Sequence, residues 1–298
     1  MNRFNGVYVA LVTPMKEDFS VDFSQLEDLC KWLISEGVDG LVPAGSLGEY
    51  ATLSSEERTA VVETVIQASN GQVPVIVGTG APSTNQAVHW AEHALAQGAQ
   101  GIMALPPINY NPREKEVIAH YEALNRVGIP IVAYNNPRDY ATDLTPQLLA
   151  KLSKFENVVA VKEFSGDIRR VHDILDQTSL EVMIGVDDLA LEGALAGATG
   201  WISGVPNALP QEGIRLFHNA LQGELDVALP LYRSLIPLFH YDAEPQLVQS
   251  IKYMMSLAGK PVGPTRPPRL ALEAEDYNEI KRHFERAKNY AQPSQGAK

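Results

Sequence analysis

Val158-Val159-Ala160-Val161-Lys162 is a run of four apolar residues closed by one amine. A short β-branched run of this kind reads as a strand buried on both faces, as in parallel sheets covered by helices. Lysine seldom ends such a run unless it is paired or put to use. The preceding run has the same form: Pro130-Ile131-Val132-Ala133-Tyr134 ends in a phenol. A helical pattern separates the two, so together they read as a βαβ unit.

Outward from this unit the order repeats. Apolar runs fall at 7–12, 40–43, 74–78, 101–105, 130–134, 158–162, 182–185 and 200–203. Helical patterns lie between them, at 23–36, 54–68, 85–97, 114–126 and 145–152, then at 168–175 and 189–196 in tighter units. This alternation predicts an α/β fold, a (β/α)8 TIM barrel with a C-terminal helical extension. An open doubly wound sheet is the competitor. Its glycine-rich first turn is missing, since the turn here is Thr13-Pro14-Met15, and Gly78-Thr79-Gly80 is too short a match. Beyond the eighth run come consecutive helical patterns at 210–222, 224–239, 245–257 and 273–290. The first closes the barrel. The expected division is therefore a catalytic barrel over 1–223 and a helical bundle and tail over 224–298, with a polar, disordered end at 292–298.

Composition narrows the function. The 298 residues carry a formal net charge of −12, which argues against nucleic-acid or anionic-membrane partners. Cys30 is the only cysteine and sits in an apolar helical stretch, so it is expected to be a buried small hydrophobe. No disulfide can form within the chain, no apolar leader opens it, and no stretch approaches the ~20 apolar residues of a membrane span. A cytoplasmic protein is expected.

In a barrel of this kind the site is built at the C-terminal strand ends. Desolvation disfavours an ammonium, so Lys162 can lose its proton near neutral pH and attack a carbonyl or imine carbon. With Tyr134 beside it, this points to Schiff-base chemistry. The alternatives are a structural Lys162–Glu163 pair and a tyrosine that only fills the core. Gly45-Ser46-Leu47-Gly48-Glu49 reads either as a plain turn or as a cradle of backbone N–H groups for a carboxylate, with the Ser46 hydroxyl added. The seventh run ends in Gly185-Val186-Asp187-Asp188, where one aspartate is expected to cap the next helix. The eighth ends in Ile202-Ser203-Gly204. His89 and His93 share a helix face but lack a third metal ligand, and Ser54-Ser55-Glu56-Glu57 is a capping box.

Together these motifs resemble the dihydrodipicolinate synthase/N-acetylneuraminate lyase family of class I lyases, over essentially the whole chain. Gly45-Ser46-Leu47-Gly48-Glu49 is similar to its carboxylate loop, Tyr134-Asn135-Asn136-Pro137 to its tyrosine motif, and Val161-Lys162-Glu163 to its Schiff-base lysine. The resemblance implies that Lys162 forms a covalent imine with an α-keto acid or cyclic imine carboxylate, with no separate cofactor. It implies that Tyr134 shuttles protons and that Ser46 and the Leu47 amide hold the substrate carboxylate. The Ile202 backbone and Gly185 would line the bound substrate, in a homotetramer built as a dimer of dimers.

Departures separate this chain from the synthases of that family. Their two loop threonines are Ser46 and Leu47 here, and Leu47 has no hydroxyl to relay a proton. Their second relay tyrosine is Asn109, with Tyr110 one place late. Their dicarboxylate-binding arginine is Asp139, with Arg138 one place early. Several stretches instead resemble the 1-pyrroline-4-hydroxy-2-carboxylate deaminases, among them Ser165-Gly166-Asp167-Ile168-Arg169-Arg170 and Gly200-Trp201-Ile202-Ser203-Gly204. The expected reaction is deamination and dehydration of that hydroxyproline-derived imine to 2-oxoglutarate semialdehyde. The alternatives are a pyruvate-dependent aldolase or 4-hydroxy-tetrahydrodipicolinate synthase, and a non-catalytic keto-acid-binding barrel.

Overall fold

A computed structural model describes residues 4–291. The end expected to be disordered, 292–298, lies outside them. Eight strands alternate with eight helices: β1 Gly6–Ala10, α1 Phe23–Ser35, β2 Gly40–Val42, α2 Ser55–Ser69, β3 Ile76–Gly78, α3 Thr84–Gln97, β4 Gly101–Ala104 and α4 Glu114–Asn125 complete the first half. The second half is β5 Ile131–Asn135, α5 Pro146–Leu152, β6 Val158–Glu163, α6 Arg169–Gln177, β7 Glu181–Ile184, α7 Ala190–Leu195, β8 Gly200–Ser203 and α8 Pro210–Gln222. All ladder pairs are parallel, in the order β2-β1-β8-β7-β6-β5-β4-β3. The two ends of that order meet at a bridge between Leu41 and Val75, which brings β2 against β3 and makes the sheet a TIM barrel.

Strand side chains alternate between two environments. Tyr8, Val42, Ile76, Met103, Val132, Ala160, Met183 and Ile202 pack together inside the cylinder, with Phe4 against Tyr8 beneath them. Their neighbours in sequence pack outward under the helices. In β6 this places Ala160 and Lys162 inside and Val161 outside. Cys30 is fully buried in the outer layer and its thiol is pushed up to about 12 by desolvation, as expected of a structural cysteine. The Ser54 capping box forms, with Ser54 Oγ accepting from the Glu57 amide and Glu57 accepting from the Ser54 amide.

Three more helices follow, α9 Leu225–Phe239, α10 Leu247–Leu257 and α11 Ala274–Ala291. Helix α9 packs on α8 and α11. The helix expected at 245–257 begins two residues later, since Gln246 takes the non-helical N-cap position, and Glu244 before Pro245 is extended, as a residue before proline prefers. Between α9 and α10 the chain makes a short 3-10 turn, His240–Ala243, that sequence periodicity does not reveal. It rests on another such turn, Asp187–Leu189, at the end of β7. The helical extension thereby reaches the mouth of the barrel.

Candidate active site

Tyr134 and Lys162 are register partners across β5 and β6. The lysine Nζ lies 4.6 Å from the Tyr134 ring centroid and 5.6 Å from that of Phe164. Lys162 is only 6 % exposed and Tyr134 only 4 %, yet Nζ makes no hydrogen bond among the described residues. The Lys162–Glu163 pair does not form. Adjacent strand residues face opposite sides, and Glu163 instead accepts from Asn135 Nδ2 at 2.9 Å and from the Ser165 amide at 2.6 Å. Burial holds the Lys162 amine below the ordinary lysine range, opposed by the negative charges of Asp242, Asp187 and Asp139. The Tyr134 hydroxyl is pushed well above its usual value, first by burial, and a hydrogen bond from Asn136 pulls the other way. Burial that favours the uncharged amine, beside a phenol held in its protonated form, suits addition to a carbonyl or imine carbon.

The amine reaches this position because Gly185 has no side chain. A Cβ there would stand 2.8 Å from Lys162 Cε, 3.0 Å from the Glu163 carbonyl oxygen and 3.0 Å from Phe164 Cδ2. Ile202 is fully buried in the same inner layer.

The loop after β2 comes to the same end of the barrel. Ala44 and Glu49 bracket it in the left-handed region, both at φ 57°, a conformation costing L-residues about 1–2 kcal/mol. Gly78 lets it pass, since a Cβ at 78 would collide with the Ala44 carbonyl oxygen. Thr13 Oγ1 donates to the Gly48 carbonyl at 2.7 Å. Glu49 is tied down from outside: Lys252 Nζ lies 2.8 Å from its Oε1, and the Arg266 amide donates to its Oε2 at 2.9 Å. Within this frame the Ser46 and Leu47 amides have no hydrogen-bond partner among the described residues. Ser46 Oγ stands 3.1 Å from the Tyr140 hydroxyl.

A sequence profile of the dihydrodipicolinate synthetase family matches residues 3–287. The chain belongs to that family. Its members are class I Schiff-base lyases, so this protein is an enzyme of that type. It is similar to the 4-hydroxy-tetrahydrodipicolinate synthase of Methanosphaerula palustris, 36 % identical over 280 residues that cover 91 % of this chain and 95 % of that protein. Among solved structures it is similar to the dihydrodipicolinate synthase of Aquifex aeolicus, with 31 % identity and a TM-score of 0.91 over 98 % of this chain and 100 % of the other. The chloride-inhibited dihydrodipicolinate synthase of Acinetobacter baumannii, solved with pyruvate, gives 29 % identity and a TM-score of 0.92 over 96 % and 99 %.

Within this dihydrodipicolinate synthetase family member, several site residues escape a motif reading. Asn136 Nδ2 donates both to the Tyr134 hydroxyl, at 3.1 Å, and to Asp139 Oδ2, at 2.8 Å. Tyr140 bridges towards Ser46 and also meets the Tyr50 hydroxyl. Neither Asp187 nor Asp188 caps helix α7, which has no side-chain cap. Asp187 instead accepts from Trp201 Nε1 at 3.0 Å and from the Val205 amide at 3.4 Å, and its own amide donates to Asp242 Oδ2 at 3.2 Å. Burial raises both carboxyls, Asp187 well above the ordinary range and Asp242 to about 7, while the Lys162 charge lowers each. The sequence did offer Asp187 as a strand-end carboxylate, but nothing in it placed Asp242 there. Elsewhere, Asn109 donates to the Pro82 carbonyl and Tyr110 is more than half exposed. His89 is exposed, while His93 lies 3.6 Å from Glu63. Among the described residues no helix is long and apolar enough to cross a membrane.

Proposed function

We propose that this lyase converts 1-pyrroline-4-hydroxy-2-carboxylate to 2-oxoglutarate semialdehyde through an imine at Lys162. The Lys162 amine adds to C2 of the ring imine, and the C2–N bond opens to leave the nitrogen on C5. Tyr134 moves protons while the 4-hydroxyl departs as water. Hydrolysis of the resulting C5 imine frees ammonia, and hydrolysis of the enzyme imine frees the ketone, so one water is consumed overall. Ser46 and the Leu47 amide hold the carboxylate, Gly185 and Ile202 border the reacting carbon, and no cofactor beyond the covalent imine is required. The protein works as a homotetramer.

One observation carries the choice of substrate. Asp139, anchored by Asn136, is among the charges acting on Lys162, at the position where a dicarboxylate-binding arginine was expected. A second carboxylate on the substrate would meet repulsion there, whereas a hydroxylated ring would not. The names of the relatives favour a second reading, condensation of pyruvate with aspartate semialdehyde. Assays of both reactions on the same preparation separate them. Ammonia and semialdehyde released in equal amounts from the hydroxypyrroline support the first. Condensation without that ammonia refutes it.

A further inference from the structure

Asp242 is a carboxylate supplied to the barrel mouth by the helical extension, not by any barrel strand. It is 7 % exposed, and its only hydrogen bond among the described residues is the one Oδ2 accepts from the Asp187 amide. Its second oxygen has no donor among the described residues and keeps a small opening to solvent at the barrel mouth. Its partner amide, that of Asp187, lies two residues after Gly185, which borders the Lys162 stem, so Asp242 stands at the lysine end of the barrel, where its charge acts on both Lys162 and Tyr134. Asp187 does not compete for this task, since Trp201 and the Val205 amide occupy its two oxygens. An acceptor with little water around it gains from a matching donor on a ligand. A carboxylate brought to the same place adds repulsion in a dry site.

We propose that Asp242 reads the far end of the substrate, accepting a hydrogen bond from a hydroxyl there and turning away substrates that end in a second carboxylate. This rests on the imine at Lys162 and extends it. It makes the turn between α9 and α10 a specificity element and explains why that turn is docked on the end of β7. The selection acts on binding and needs no bond to break.

The test is borohydride trapping of the full-length enzyme with two five-carbon 2-oxo acids, 5-hydroxy-2-oxopentanoate and 2-oxoglutarate, with pyruvate as the reference, read by intact mass. The wild type should trap the hydroxy acid at least ~10-fold faster than the dicarboxylate. In Asp242→Asn that ratio should fall severalfold, through faster trapping of 2-oxoglutarate, with Asp139 still opposing the dicarboxylate. An unchanged ratio in a folded Asp242→Asn overturns the role of Asp242 alone, while equal rates in the wild type overturn it together with the repulsion assigned to Asp139. Failure of the wild type to trap even pyruvate removes the imine on which the proposal stands. Because the wild-type comparison needs no variant, a misfolded Asp242→Asn leaves the proposal exposed to refutation.

Discussion

Gly185 and Lys162 fit together as void and filler: the place where a Cβ of residue 185 would project lies 2.8 Å from the lysine Cε. The Glu163 carbonyl, 3.0 Å away on the other side, belongs to a ladder strand and cannot give way. In Gly185→Ala the lysine stem must therefore move. We predict a fall of at least ~10-fold in kcat/KM, with about 1–3 kcal/mol lost in stability from overpacking. Steady-state kinetics beside urea melts measure both. Wild-type turnover in this variant would show that the amine is not held where the chemistry requires it.

The pH dependence of imine formation follows from the same burial. Attack needs the neutral amine, so trapping should rise with pH along a limb below the ordinary lysine value, because desolvation lowers this pKa. Asp242 opposes that shift through its negative charge, so Asp242→Asn should move the limb to lower pH. A limb that moves upward contradicts the geometry.

Asn136 spends one amide group on two acceptors, the Tyr134 hydroxyl and Asp139. Its bond to the phenol lowers the Tyr134 pKa against burial. Replacing it with alanine should raise that pKa further and cut kcat roughly 10-fold, with a smaller change in KM. The conservative variant Asn136→Gln, which restores a donor, should recover part of the rate. Equal losses in both variants would reduce Asn136 to packing.

Lys252 and Glu49 form a buried ion pair beneath the Ser46 loop, with exposures of 4 % and 0 %. Removing one partner leaves a buried charge alone, so Lys252→Met should cost about 3–5 kcal/mol. The double variant Lys252→Met/Glu49→Gln should recover much of that. Chemical denaturation of the set gives the coupling, and simple additivity would refute the pairing.

His120 is buried and neutral. Its Nε2 lies 3.1 Å from the Leu105 carbonyl oxygen, to which an N–H there donates, and its Nδ1 accepts from Thr84 Oγ1 at 2.9 Å. Desolvation lowers its pKa from 6.5 to about 4. Between those values the unfolded chain takes up a proton that the folded one refuses, so stability falls as pH drops. The loss by pH 5 should be roughly 2 kcal/mol, and His120→Gln should lack this component. Melts of both proteins at pH 7 and 5 check the difference.

The barrel was legible because parallel strands buried on both faces leave unbroken apolar runs, and the polar residue ending each run marks the site end. That rule singles out Lys162 and Tyr134, which the structure sets side by side, while Ser46 was marked by the glycines of its loop. Gly185 was expected to line the substrate, and the contact the structure shows for it is with the lysine stem. Strand ends moved by a residue or two, as between the expected 182–185 and the observed Glu181–Ile184, since ladder pairing and not composition decides where a strand stops. Asp242 stayed hidden for another reason. It follows an apolar helix in sequence and reaches the end of β7 only because the His240–Ala243 turn rests on the Asp187–Leu189 turn, a long-range consequence of packing that no local pattern carries. Asp187 misled in the opposite way: its position before α7 suggests a cap, but the indole of Trp201 claims its carboxylate.

The account turns on one nitrogen. Reducing the wild type with borohydride in the presence of 1-pyrroline-4-hydroxy-2-carboxylate, then mapping the adduct by peptide mass, tests it most directly. A single adduct on the peptide bearing Lys162, absent from Lys162→Arg, is the predicted result. An adduct on any other lysine, or release of ammonia by the Lys162→Arg protein at the wild-type rate, would contradict it.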